Sequence, residues 1–287
     1  MFKRHPILRR LAALALAAVC CVLFFHWSNT AIQTERFTFA SSRLPDHFDG
    51  FTIVLLSDLH GAVFGEDNAP LLAAVAQAEP DLIAVTGDIL DRFRETPVSY
   101  AAHLGSQLSA IAPTCFVTGN HDWAMGTAVA EELKDALRQS GVTVLSNDTL
   151  ALWQGDERIL LSGIDDPNGY ADQKSPAQVA DELLAAYGEN DFRLLLAHRN
   201  DRFAREYASL GYDLTLSGHG HGGLIRLPFT DGLLGTNHDF FPTFTAGFYS
   251  VDGAEVLVSR GLGNSGPSFR LFNRPEVAAL TLRRSDS

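Results

Sequence analysis

From about residue 50 onward, short unbroken apolar runs alternate with longer stretches in which apolar positions recur every three or four residues. The runs Phe51–Ser57, Leu82–Thr86, Thr114–Thr118, Arg193–Ala197 and Asp213–Ser217 each stop at a polar or glycine-bearing turn, as buried strands do. Between them, Ala69–Ala78, Pro97–Ile111, Thr127–Ser140 and Ser175–Tyr187 carry helical spacing. Gly141 closes the third of these, while Ser175 can cap the fourth and Pro176 fits its first turn. The alternation predicts an α/β domain. Reversals at Gln154–Glu157 and Asp252-Gly253 predict hairpins, and Val142–Leu145 and Val277–Leu282 add strands that need not run parallel to the rest. A mixed sheet or two packed sheets would accommodate them. Residues 50–284 contain no Pro/Gly/Ser-rich linker and read as one domain, entered through a linker at 31–49.

The N-terminal pattern is different. Lys3, Arg4, Arg9 and Arg10 precede an uncharged run from Leu11 to Trp27, with a polar stretch after it. At about 1.5 Å per residue that run reaches about 25 Å, a little short of a hydrocarbon core of about 30 Å. Residues 1–30 are therefore read as an uncleaved membrane anchor, with a cleaved signal peptide and a buried domain helix as alternatives. Basic residues on the N-terminal flank favour a cytoplasmic N-terminus, which places everything after residue 30 on the extracytoplasmic side. Arg9-Arg10 also resembles a twin-arginine export signal. Cys20-Cys21 does not read as a lipidation site, because Val19 stands where a small residue is needed.

Composition narrows the possible partners. With 22 Lys+Arg against 34 Asp+Glu the formal net charge is −12, which argues against a protein that grips nucleic acid through a general basic surface. A phosphate-bearing substrate stays open, because bound metal reverses the sign locally. The three cysteines draw no disulfide framework, and Cys115, inside an expected strand, reads as a small core residue.

The most informative residues stand directly after the five strands: Asp58 with His60; Gly87-Asp88; Gly119-Asn120-His121-Asp122; His198; and Gly218-His219-Gly220-His221. Each segment alone has a bland explanation, as a turn, a helix cap or a satisfied core histidine. Together they deliver metal-capable side chains to the carboxyl ends of strands, where open α/β sheets gather their sites. Mixed Asp, Asn and His donors suit two divalent ions sharing one carboxylate, and favour manganese, iron or zinc over calcium.

In order and spacing these segments resemble the calcineurin-like metallophosphoesterase superfamily over about residues 50–225, and the tail from Ser259-Arg260-Gly261-Leu262-Gly263 to Arg274-Pro275-Glu276 resembles its membrane-associated bacterial phosphodiesterase subgroup, typified by YkuE and YaeI. The resemblance implies an αββα sandwich of two mixed sheets flanked by helices. It implies one metal held by Asp58, His60, His221 and Asp88, and a second held by Asn120, His198, His219 and the same Asp88. His121 is then the proton donor to the leaving group, and Asp122 orients its ring. The Arg199-Asn200 pair after His198 departs from many relatives and leaves the adjoining substrate contact open.

The expected function is a binuclear phosphodiesterase acting on lipid-linked or nucleotide-lipid headgroups at the outer membrane face. The alternatives are an exported phosphomonoesterase on soluble substrates and a non-catalytic metal-binding module, which has no need of His121 or Asp122. Phe229, Phe240, Phe241, Phe244 and Phe248 are expected to fill the core between sheets, or else to form an apolar wall or membrane-facing lip beside the metals. Asn264, Ser265 and Arg270 are candidates for reaching a substrate phosphate, and His238 reads as a loop residue.

Overall fold

The computed structural model describes residues 6–227, 231–235, 239–266 and 268–286; Lys3, Arg4, Phe229 and His238 lie outside them. The chain opens with α1 (Pro6–Thr30), β1 (Gln33–Ser41), β2 (Thr52–Leu56), α2 (Ala69–Gln77), β3 (Leu82–Val85), α3 (Val98–Ser109) and β4 (Thr114–Phe116). It continues through α4 (Asn120–Ala124), α5 (Thr127–Gln139), β5 (Thr143–Val144), the hairpin β6 (Asp148–Gln154) and β7 (Glu157–Gly163), α6 (Pro176–Tyr187), β8 (Phe192–Arg199) and β9 (Leu214–Gly218). A short hairpin, β10 (Ile225–Arg226) and β11 (Gly232–Leu234), precedes β12 (Gly247–Val251), β13 (Ala254–Val258) and β14 (Glu276–Arg284).

Two six-stranded mixed sheets result, in the orders β1-β14-β2-β3-β4-β5 and β12-β13-β9-β8-β7-β6. In the first, β2 to β5 run parallel; in the second, β13, β9, β8 and β7 do. The period-2 alternation of side chains explains the layering. On β2, Ile53 and Leu55 face the second sheet while Val54 and Leu56 face helices; on β8, Leu194 and Leu196 face inward while Leu195 and Ala197 face outward. Three apolar cores arise in this way. One lies between the sheets, one under α2, α3 and α5, and one under α6 and the 203–212 turns. Cys115 packs in the core between the sheets, as the sequence indicates.

The stretch expected as a linker contains a strand. β1 pairs in parallel with β14 from Gln33↔Glu276 to Ser41↔Arg284, and its side chains alternate between half-buried and exposed. Only Phe37 and Phe39 of its inward positions are apolar, so it carries none of the continuous hydrophobicity that marks the central strands.

Among the described residues α1 is the one helix long and apolar enough to cross a membrane, by length and composition, over Arg9–Thr30. At about 1.5 Å per residue its 22 residues reach about 33 Å. Nearly all of that stretch stands clear of the folded body.

Leu194 is fully buried between the sheets. Leu194→Ala is expected to cost about 3 kcal/mol through lost burial and the cavity left behind, read as a lower denaturation midpoint. Glu132→Ala on the exposed face of α5 should stay within about 0.5 kcal/mol; equal effects of the two would refute the layered core.

Candidate metal centre

The strands that run parallel end at one edge of the sandwich, and the turns leaving them carry the chemistry. Asp58 and His60 follow β2, Asp88 follows β3, Asn120 begins α4 after β4, His198 ends β8, and His219 and His221 follow β9. Five of these residues, Asp58, His60, Asp88, His219 and His221, have φ between +47° and +66°. That left-handed backbone is uncommon outside glycine and costs on the order of 1 kcal/mol or more per residue. Backbone bonds between neighbouring turns hold it: the Asp58 amide donates to the Gly87 carbonyl at 3.0 Å and the His60 amide to the Asp88 carbonyl at 2.9 Å. The turns approach so closely that a Cβ on Gly119 would strike the Asp88 carboxylate, and one on Gly218 would strike the Ser57 and Asp58 side chains.

Among the described residues three clusters form, Asp58–His60–His221, Asp88–His198–His219 and His60–Asp88–His121, each with ligand atoms within 4.8 Å of one another. In the first, His60 Nε2 lies 3.1 Å from His221 Nε2, and Asp58 Oδ1 lies 3.3 Å from His221 Nε2. In the second, His198 Nε2 lies 3.1 Å from Asn120 Oδ1, 3.2 Å from His219 Nδ1 and 3.3 Å from Asp88 Oδ2. Asp88 Oδ2 also faces His60 Nε2 at 3.6 Å, so a single oxygen addresses the first two clusters. Its other oxygen accepts the His121 amide at 2.7 Å, which fixes the carboxylate plane.

The donor set fits divalent cations. His198 gives its Nδ1 hydrogen to the Thr86 carbonyl at 2.7 Å, which turns Nε2, as the lone-pair nitrogen, toward three further acceptors. Such a ring of acceptors repels itself unless a proton or a cation sits among them. Burial pulls the His198 imidazole down, yet Asp88 outweighs it and pushes it up to about 10. Conversely, burial favours protonation of Asp88, but His198 and His60 hold that carboxyl well below the usual range. Burial first, with neighbouring imidazoles adding to it, depresses His60 and His219, and burial likewise depresses His221, which suits neutral ligands. The His60 Nδ1 is buried without a hydrogen-bond partner.

His121 belongs to the third of these clusters, but to neither of the four-residue sets that the resemblance implies. Its Nδ1 faces Asp91 Oδ1 at 3.2 Å and its Nε2 faces Ser265 Oγ at 3.2 Å. Asp122 therefore does not orient the ring, contrary to expectation. Its carboxylate accepts the amides of Asp88 at 2.9 Å, Gly119 at 2.8 Å and Leu90 at 3.0 Å, clamping the turns after β3 and β4 together. Burial, and then Asp88, push its carboxyl up to about 7 against the Gly119 and Leu90 amides. Asp91 is the functional residue that sequence reasoning missed; the spacing Asp88-x-x-Asp91-Arg92 after β3 was the available signal.

The centre forms the floor of a cleft of about 670 Å³ whose walls include Arg92, Phe93, Leu224, Leu234, Ser265 and Phe269. Of the three tail residues expected near a phosphate, Ser265 alone lines it. Arg270 is fully buried, donating to the Gly263 carbonyl, and Asn264 bonds Asn29. Phe240 and Phe241 do not fill core but are about three-quarters exposed, whereas Phe248 packs on the core between the sheets and Phe244 on the outer core of the second sheet. Arg199 is engaged by Asp166 at 2.7 Å and lies 3.5 Å from His219 Nε2.

A family model described as calcineurin-like phosphoesterase matches residues 51–223. Metallophosphoesterase YkuE of Bacillus subtilis is 33% identical over 266 residues, covering 89% of this chain and 87% of that one. Phosphodiesterase YaeI of Escherichia coli is 30% identical over 243 residues, covering 83% and 84%. A transmembrane protein with metallophosphoesterase domain from Danio rerio is 30% identical over 254 residues, covering 85% of this chain and 55% of its own length.

The different anchoring of the two aspartates separates their roles. Asp122→Ala strands three backbone donors and is expected to cost about 3 kcal/mol or more of stability, together with bound metal. Asp91→Asn should keep both and lower turnover about tenfold or more through a misdirected His121. Metal analysis, denaturation and rate on one ester decide; an Asp122→Ala protein of wild-type stability would remove the clamp.

Proposed function

The chain belongs to the calcineurin-like phosphoesterase family and is a metal-dependent phosphoester hydrolase; we propose that it is a binuclear phosphodiesterase of amphiphilic, lipid-linked substrates at the outer face of a membrane. The observation that carries this reading is the sharing of Asp88 Oδ2 between two imidazole clusters at the floor of a cleft with apolar walls. Asp58, His60, His221 and Asp88 would hold one ion, and Asn120, His198, His219 and Asp88 would hold the other. Manganese, iron and zinc all suit these donors.

The two ions, when bound, neutralise the phosphoester and bring the pKa of a coordinated water toward neutrality. The chain's own residues supply the rest. Asp91 holds the Nδ1 hydrogen of His121, so the protonated ring presents Nε2–H to the cleft. As oxygen from water bonds to phosphorus on one side, the opposite P–O bond breaks and that proton passes to the departing oxygen. Arg92 brings a cation to the cleft wall, and Ser265 Oγ fixes the ring's far nitrogen before substrate enters. Phe93, Leu224, Leu234 and Phe269 offer a surface to acyl chains rather than to a second charged group. The relatives named as a phosphodiesterase and as a transmembrane protein support the substrate class and the tether, and Arg9 and Arg10 at the start of α1 support a cytoplasmic N-terminus.

The test is turnover of a bacterial lipid extract by manganese-loaded full-length enzyme. Release of a phosphorylated headgroup, with faster hydrolysis of bis-p-nitrophenyl phosphate than of p-nitrophenyl phosphate, is expected; monoester preference without headgroup release would give the soluble-substrate phosphatase instead. His121→Ala should retain its metal and lose roughly 10²- to 10⁴-fold in rate on an ester with a poor leaving group. Unchanged turnover of that ester would remove His121 from the reaction.

A further inference from the structure

The end of α1 is locked onto the segment that walls the metal cleft. Asn29 Oδ1 accepts the Arg270 amide at 2.7 Å and the Asn264 side chain at 3.0 Å, while Asn29 Nδ2 donates to the Arg270 carbonyl at 2.9 Å. The Phe24 ring lies 4.9 Å from that of Phe272, and Phe25 lies 5.6 Å from Phe269. The Arg274 guanidinium sits 4.7 Å over the Trp27 ring and donates to the Ala31 and Ile32 carbonyls. Among these, Phe269 is itself a cleft wall.

This docking sets a depth. Phe24 and Phe25 precede the last residue of α1 by six and five positions, which at 1.5 Å per residue places them about 8 Å inside the helix end. Whatever stacks on them lies at the same level, and Trp27 is of the type that gathers at membrane interfaces. The lip then continues laterally. Leu271 bridges Ile225, the Arg226 amide donates to the Leu271 carbonyl at 3.0 Å, and the Phe241 amide donates to the Leu233 carbonyl at 3.0 Å. Phe240 is 72% exposed and Phe241 73%, with Phe269 and Phe272 also more than two-fifths exposed. Adjacent exposed aromatics beside an apolar helix form the kind of patch that marks an interaction surface.

We propose that Phe269, Phe272, Phe240 and Phe241 form a lip that seats in the headgroup–acyl boundary of the bilayer entered by α1, so that the metal cleft opens onto the membrane surface. The inference rests on the reading of α1 as a membrane span and adds a second, shallow contact to it. A substrate anchored by acyl chains then reaches the metals by lateral movement past the lip, its headgroup entering the cleft while its chains remain in the lipid. Aromatic rings suit this depth, since buried apolar area provides the hold and the backbone behind them is already hydrogen-bonded.

Full-length protein with Cys20→Ala and Cys21→Ala, in which the buried Cys115 stays unreactive, is labelled with an environment-sensitive fluorophore at one introduced cysteine. It is reconstituted into phosphatidylethanolamine–phosphatidylglycerol vesicles containing doxyl-labelled lipid. Leu16→Cys reports insertion of α1, and Asp156→Cys, in the exposed turn between β6 and β7, reports the aqueous phase. Labels at Phe240→Cys and Phe272→Cys are expected to shift to the blue and be quenched by the lipid, with Asp156 unaffected. Quenching at Leu16 with positions 240 and 272 as aqueous as 156 overturns the lip while leaving the tether. A blue shift without lipid quenching means that protein, such as a second copy, covers the patch, and also overturns it. No quenching at Leu16 removes the tether and the lip together. The F240S/F241S protein should hydrolyse bis-p-nitrophenyl phosphate at the unsubstituted rate and turn over the lipid extract at least tenfold more slowly, an unchanged lipid rate overturning the lip; a chain that never hydrolyses that ester strikes the phosphodiesterase reading alone.

Discussion

Everything at the catalytic edge depends on how Asp88 Oδ2 is held between imidazoles from different sheets. His60 arrives from β2 in the first sheet and His198 from β8 in the second, and the same oxygen faces both at 3.6 and 3.3 Å. Bringing so many acceptors together removes them from water, which is costly unless positive charge joins them. The left-handed turns at Asp58, His60, Asp88, His219 and His221 add to that cost. Divalent cations bound among these groups would offset both at once. Metal that binds only the folded arrangement thereby stabilises the sandwich by linkage, and its affinity becomes part of the stability of the seam between the sheets.

The scaffold shares the work of holding this oxygen among residues with separate duties. Asp122 makes no hydrogen bond to the side chain of a metal candidate; it fixes the Asp88, Leu90 and Gly119 amides, and through them the turns after β3 and β4. Asp91, three residues beyond Asp88, takes the Gly266 amide at 3.0 Å on one oxygen and His121 Nδ1 at 3.2 Å on the other. It thus ties His121 to the same tail segment that docks α1. A displacement of that segment moves Ser265 and the His121 ring together, because both are bonded across the cleft.

Much of this edge is legible in the sequence, for a simple reason. Strands buried on both faces read as unbroken apolar runs, and function at their carboxyl ends places polar residues directly after them, so Asp58, Asp88, Asn120, His198 and His219 are found by position. β1 escapes because an edge strand needs apolar residues on one face only. The roles of Asp91 and Asp122 escape because adjacency suggests a partnership between His121 and Asp122, whereas the first turn of α4 points that carboxylate back at its own N-terminus. Phe240 and Phe241 mislead in the opposite direction. Aromatic residues normally mean core, and their exposure becomes visible only once β10 and β11 are seen to form a separate two-stranded ribbon to which Phe240 is bridged at Leu234.

The net charge explains why the hold on a membrane takes this form. The chain carries −12 in all and its folded body is more acidic still, since Lys3, Arg4, Arg9 and Arg10 precede it; an anionic leaflet repels such a body, and although salt limits that repulsion to about 8 Å at physiological ionic strength, the proposed reaction would take place within that distance of the headgroups. A polybasic patch is one solution, but it would also attract free phosphates and polyanions to the rim of a phosphoester site. On the proposed reading, uncharged phenylalanines at the lip and a 22-residue apolar helix behind them would provide affinity that is indifferent to the sign of the leaflet. Arg92 stands in the cleft wall, where it and bound cations would meet the phosphoester, so that attraction would act on the scissile group.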